Sequence, residues 1–82
     1  MDKPIGKVVH FYSKIGVAVI ELTDNLKIGD RIRIKGHTTD FEQPVESMQI
    51  EKSRVDNAIA GQAIGLKVNG VCKEHDVVYK VE

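Results

Sequence analysis

The sequence predicts an all-β domain, a small antiparallel β-barrel of six to seven strands. Three observations carry that prediction. Nearly every segment alternates apolar and polar residues with period two, which sends successive side chains to opposite faces of a strand. Turn-forming residues, Asn69-Gly70 among them, punctuate the chain at short intervals. No segment carries the periodicity of a long helix, and a closed or nearly closed barrel is how many short strands dispose of their edges.

Taken in order, residues 5–12 are rich in Val and aromatic side chains, and Ser13-Lys14 after them is short enough for a hairpin connection. Residues 15–22 form an almost continuous apolar run, the pattern of a strand buried on both faces. Leu26-Lys27-Ile28-Gly29-Asp30 reads as a turn in which Gly29 is free to take a positive φ. Arg31-Ile32-Arg33-Ile34-Lys35 is the cleanest alternation of all, two isoleucines on one face and three cations on the other. Gly36-His37-Thr38-Thr39-Asp40 suits a turn, and strand patterning resumes at Phe41. This predicts a hairpin in which Glu42 and Glu46 pair with the Arg31, Arg33 and Lys35 row.

Val45 and Met48 are three apart, so they cannot both face the core on a regular strand. A β-bulge near Glu46-Ser47 resolves the conflict. Pro44, lacking an N–H, belongs at an edge or bulge. Residues 53–61 read as an irregular crossing with a single helical turn over Val55-Asp56-Asn57-Ala58. Ile64, Leu66 and Val68 then mark another strand, and Val77-Val78-Tyr79-Lys80-Val81 a last one. The expected core is Val8, Val19, Ile20, Ile32, Ile34, Val45, Met48, Ile50, Ile64, Leu66, Val68 and Val78.

Residues 1–82 are expected to form one domain, since a chain of this length has no room for a second core. Its 41% hydrophobic and 29% charged residues argue against disorder. Twelve basic and twelve acidic side chains cancel, which counts against unaided nucleic-acid binding but leaves room for a local basic patch. The single Cys72 favours a reducing compartment. With no apolar stretch near the start or long enough to span a bilayer, the expectation is a cytoplasmic protein without a membrane partner.

Several motifs resemble a known family. The run Val45-Glu46-Ser47-Met48-Gln49-Ile50 followed by Val55, Ala58, Ala60-Gly61 and Ile64-Gly65-Leu66 resembles the second domain of elongation factor Tu and bacterial initiation factor two. Leu26-Lys27-Ile28-Gly29-Asp30 is similar to that family's L-K-x-G-D turn, and Gly6-Lys7-Val8 to its opening strand. The segment 35–49, with Gly36-His37-Thr38-Thr39-Asp40-Phe41, looks closer still to free-standing elongation-factor-like small proteins and to the C-terminal barrel of collagenase-like peptidases. The resemblance implies a translation-factor barrel and a partner among tRNA, ribosomal RNA and the ribosome. Its alternative implication is a protein–protein module beside a collagenase-like peptidase or an RNA-modifying enzyme. The nucleotide chemistry of the GTPases is missing: there is no G-x-x-x-x-G-K-[ST], D-x-x-G or N-K-x-D, so no nucleotide is expected. The acidic position of that family's aminoacyl pocket falls on Gln49 and its asparagine on Ala63, so the pocket for charged tRNA is altered.

Candidate binding residues follow from charge and loop position. Arg31, Arg33 and Lys35, joined by Lys52 and Arg54, would present a basic stripe to phosphates; Glu42, Glu46 and Glu51 would instead neutralise the same face. His37, Thr38, Thr39, Asp40 and Phe41 form either a recognition loop or a hairpin end in which Thr39 or Asp40 bonds its own backbone. Gln49 is carried by the resemblance. His10, His37 and His75 lack metal-ligand spacing, so neither metal nor cofactor is expected. Cys72 beside Lys73 and His75 lacks a marked base or oxyanion site, so no catalytic activity of its own is expected.

Overall fold

The computed structural model describes residues 3–81; Met1-Asp2, where a leader was sought, and Glu82 lie outside the described residues. Among the described residues, ten strands form two antiparallel sheets. They are β1 (Lys3–Tyr12), β2 (Val17–Leu22), β3 (Leu26–Lys27), β4 (Arg31–Lys35), β5 (Asp40–Pro44), β6 (Met48–Ile50), β7 (Ser53–Val55), β8 (Asn57–Ala58), β9 (Ala63–Lys67) and β10 (Val77–Lys80). Eight of them make one curled sheet in the order β5-β4-β10-β1-β2-β9-β6-β7, and β3 with β8 makes a small second sheet. The all-β antiparallel expectation holds. The count of six to seven strands does not, because two-residue and three-residue strands such as β3, β7 and β8 are too short to show a period of two.

The alternation of β4 places Ile32 and Ile34 wholly inside, beneath Arg31, Arg33 and Lys35. They join Ile5, Val8, Ile20, Met48, Ile64, Leu66 and Val78 in one core. Burying such side chains contributes on the order of 1.5–3 kcal/mol each. Ile5 and Val8 both point inward although three apart, because β1 breaks register between Pro4 and Gly6; a second break follows between Val8 and His10. Gly6 is required at the first break: a Cβ there would lie 2.7 Å from the Glu21 carbonyl oxygen.

The expected bulge near Glu46-Ser47 is a full break instead. β5 ends at Pro44, residues 45–47 belong to no strand, and β6 begins at Met48 with new partners, β7 and β9. The conflict between Val45 and Met48 was physical, and the chain resolves it by changing neighbours. Val55-Asp56-Asn57-Ala58 is not a helical turn: Val55 closes β7, and Asn57–Ala58 is β8, paired with Leu26 and Lys27. Two core assignments also change. Val19 and Ile50 are only half-buried, since on β2 it is Ala18, Ile20 and Leu22 that point inward.

Within the large sheet β5 and β7 are edges, and one side chain bridges from the first toward β9. Gln43, 4% exposed, donates its Nε2 to the Lys67 carbonyl at 2.9 Å, and its Oε1 accepts from the Asn69 N–H at 2.7 Å. A carboxamide reproduces the donor and acceptor of a peptide unit, so Gln43 stitches where no strand pairs.

Candidate functional site

The row of cations and the loop that follows it were the first candidates. Strand β4 does carry Arg31, Arg33 and Lys35 on its outer side, and they are largely neutralised by β5. Arg31 Nε donates to Glu42 at 2.6 Å. Arg33 grips Asp40 with two hydrogen bonds of 2.8 and 2.9 Å. Both pairs run diagonally, two residues off the directly opposed partners Pro44 and Glu42, as the twist of an antiparallel ladder allows. Hydrogen bonding from Arg33 holds the Asp40 carboxyl below the usual carboxylate range. Glu46 takes no part, because the chain has left the β4 ladder at Pro44; Asp40 stands where it was expected.

Lys52 and Arg54 do not extend that stripe through the ladder. They sit on the β6–β7 hairpin, at the other end of the strand order from β4 and β5. Gln49 is exposed in the middle of β6, opposite Gly65 of β9.

The loop is a hairpin end. The Gly36 N–H donates to the Thr39 carbonyl at 2.7 Å, and Thr39 is buried. Phe41 packs inward against the core and beside Gly70, where a Cβ would lie 2.9 Å from the ring. Only His37, Thr38 and the Arg33-bound Asp40 are exposed among the five residues. Gly36 has its own reason: a methyl group there would collide with the buried Asp76 carboxylate, which accepts from the Lys73 N–H at 2.8 Å.

His10 Nδ1 lies 3.5 Å from a Glu74 carboxylate oxygen, and its ring stands edge-on to Tyr12 with centroids 4.3 Å apart. No three His, Cys, Asp or Glu side chains gather as a metal site among the described residues. Cys72 is 2% exposed, and burial, aided by Asp76, pushes its thiol up to about 11. A thiol so placed is protonated and unreactive at neutral pH.

The arrangement that the sequence reading missed lies on the outside of β2, β9 and β6. Val17 and Val19 point outward and stay half-exposed: Val17 faces Lys67 on β9, while the small Gly65 lies opposite Val19 and Ala63 opposite Glu21. A Cβ built on Gly65 would touch Val17 at 3.5 Å, so the valine leans over the gap. The result is an open groove of about 370 Å³ with an apolar floor. Tyr12 and Ile15, 50% and 63% exposed, form one wall, and the β6–β7 turn with Glu51 and Lys52 forms the other. A signal was present. In a chain of charged alternations, residues 15–22 are apolar on both faces, a pattern that double burial and an uncovered outer face produce alike.

Comparison with known proteins gives a consistent direction. No protein-family model matches the chain. A curated protein named as an uncharacterized protease of Methanocaldococcus jannaschii is 50% identical over 76 residues, which are 92% of this chain and 19% of the relative. The chain thus spans about a fifth of that relative's length. The crystal structure of the C-terminal domain of a putative U32 peptidase from Geobacillus thermoleovorans matches with a TM-score of 0.91 at 20% identity, covering 98% of this chain and 93% of that one. The selenomethionine variant of the same domain matches with a TM-score of 0.88 at 20% identity, covering 93% and 96%.

These findings correct the resemblance to elongation factor Tu. The relatives are named as a protease and as peptidase domains, so the identification as a translation-factor barrel is overturned, and they give no support to tRNA, ribosomal RNA or the ribosome as partner. The misleading motifs, such as Leu26-Lys27-Ile28-Gly29-Asp30 and Val45-Glu46-Ser47-Met48, report turns and a strand break, which are properties of a fold and not of a function. The likeness of residues 35–49 to the C-terminal barrel of collagenase-like peptidases points the same way as the solved structures. In fold, the chain is similar to the C-terminal domain of that putative U32 peptidase.

Proposed function

We propose that this protein is a non-catalytic module that works beside a peptidase, either fused to it or held against it as a separate chain. The observation that carries this reading is the 50% identity to one fifth of a protease, joined to a fold match with a peptidase's C-terminal domain. Its own residues support a binding role over a catalytic one. The single thiol is buried and its pKa raised, and the acidic residues of β5 are spent on Arg31 and Arg33. Nucleophilic chemistry needs an activated thiolate, whereas burial and the nearby Asp76 carboxylate both hold Cys72 in its protonated form. The partner is a protein. The lone reduced thiol suits the cytoplasm.

The test is enzymatic. The protein by itself should leave labelled casein and gelatin intact. The archaeal relative, assayed whole and with its matching fifth removed, should lose roughly tenfold or more in kcat/KM on truncation, in keeping with lost positioning of substrate or domain. Adding the 82-residue protein in trans should restore part of that loss. Hydrolysis by this protein alone, or full activity of the truncated relative, would overturn the reading.

A further inference from the structure

The groove on the outer face of β2, β9 and β6 combines exposed apolar side chains with a strained backbone. Glu51 and Lys52 have φ of 50° and 67°. They form the two-residue turn between Ile50 and Ser53, where both positions require the left-handed region. Asn-Gly or Gly-Gly is the usual solution there, and neither Glu nor Lys is at ease with it. Strain of this kind survives at sites where the side chains are needed. Here they border the groove, one acid and one base at its rim.

We infer that this groove is the docking face of the module, and that its occupant is the larger body of the peptidase. This rests on the function proposed above. Four lines of observation favour that occupant. The matching relative keeps about four fifths of its length outside the region that aligns with this chain, so a large body stands beside the module in that protein. The groove's floor of valines, alanine and glycine accepts an aliphatic or aromatic protrusion, and a folded domain supplies one at low ordering cost. The rim of Glu51, Lys52 and Gln49 carries opposite charges and an amide, which fits the mixed polar edge of a domain interface and not an anionic polymer. Finally, the apolar surface continues past Tyr12 and Ile15 into a second shallow depression of about 390 Å³ by Ser13 and Lys14, so the patch is broad. Broad apolar patches on a small domain mark interaction surfaces.

Other surfaces are poorer candidates. The β4–β5 face is engaged in its own ion pairs. The polar cleft of about 320 Å³ beside Asn25, Asn57 and Ile59 has its Asp30 and Lys80 3.4 Å from one another.

The experiment is carbene footprinting read by mass spectrometry, comparing this protein alone with the full-length archaeal protease. Positions of the protease aligned with Tyr12, Ile15, Val17 and Val19 should be labelled roughly fivefold less than the same positions here, since a docked face excludes the reagent. Positions aligned with Arg31 and Glu42 should be labelled alike in both. Replacing the protease residue aligned with Val19 by Glu should restore labelling and raise the radius of gyration in small-angle scattering. Protection of the β4–β5 positions instead would overturn the groove while leaving a docked module intact. Equal labelling of both faces would overturn the groove and the docked module together. Equal labelling of the groove in the parent and the Glu variant would likewise reject the assignment.

Discussion

Two outer faces of the same curled sheet have opposite characters. The face of β4 and β5 is charged and self-sufficient: Arg31 holds Glu42 and Arg33 holds Asp40, each at less than 3 Å. The face of β2, β9 and β6 is apolar and incomplete, with Val17, Val19, Tyr12 and Ile15 left partly in water beside a strained turn. A charge row announces itself in a sequence, yet once paired across a ladder it has little left to offer a ligand. Small residues such as Gly65 and Ala63 announce nothing, yet they hollow out the surface that a partner can fill. The lesson is that the conspicuous residues satisfied one another, and the quiet ones left the gap.

The difference can be attacked from the core outward. Ile34 lies fully buried beneath the charged face. Ile34→Ala should cost about 2–5 kcal/mol in urea unfolding, which for so small a domain approaches its whole stability. An unchanged midpoint would mean that β4 does not share the core on which the apolar face rests. Next, Gln43→Leu removes the bridge between β5 and the end of β9. It strands the Lys67 carbonyl and the Asn69 N–H, and unfolding should report a loss of about 1–3 kcal/mol. Hydrogen exchange at Asn69 should quicken with it.

The strained turn gives an effect of opposite sign. The double substitution Glu51→Asn with Lys52→Gly supplies the residues that a left-handed pair prefers, and should stabilise the protein by about 1–2 kcal/mol. The same variant should weaken docking to the peptidase body, so gain in stability and loss in binding together would sharpen the contrast. A loss of stability would show that the turn is not under strain. Smallest of all, Arg31→Ala on the charged face should cost only about 0.2–1 kcal/mol, with the difference shrinking at high salt.

The charged face also sets an acid limit. The Asp40 carboxyl titrates below its ordinary 3.8, so its ion pair stabilises the fold fully above that pH and is lost as pH falls through the lower native value. A carbon-13 titration of the Asp40 carboxyl should show the depressed midpoint in the parent and a return to the ordinary value in Arg33→Ala. If the midpoint stayed put, the two-pronged bond from Arg33 would not be its cause.

How much of this was legible beforehand differs from element to element. Arg31-Ile32-Arg33-Ile34-Lys35 became β4 residue for residue, because a period of two with charges on one side leaves a single way to bury the isoleucines. Gly29 took its positive φ of 97° where a turn required it. The clash between Val45 and Met48 was visible as arithmetic, but whether a bulge or a change of partner relieved it depended on which strands stood nearby. Gln49 and Lys52 were marked for charge or resemblance, and the fold gave them a shared place at the groove rim. Val19 lies in an apolar run, which suggests burial, but alternation along a strand cannot say what covers its second face.

By itself, then, the sequence determined the all-β class, the cleanest strand, the turn at Gly29, and most of the core, since these follow from local periodicity and backbone preference. Tertiary structure alone decided the strand order, the bridge by Gln43, the burial of Asp76 under Gly36, and the groove between β2, β9 and β6. Each of these joins residues far apart in the chain. Their energies depend on which side chain stands across the sheet, and no local pattern records that neighbour.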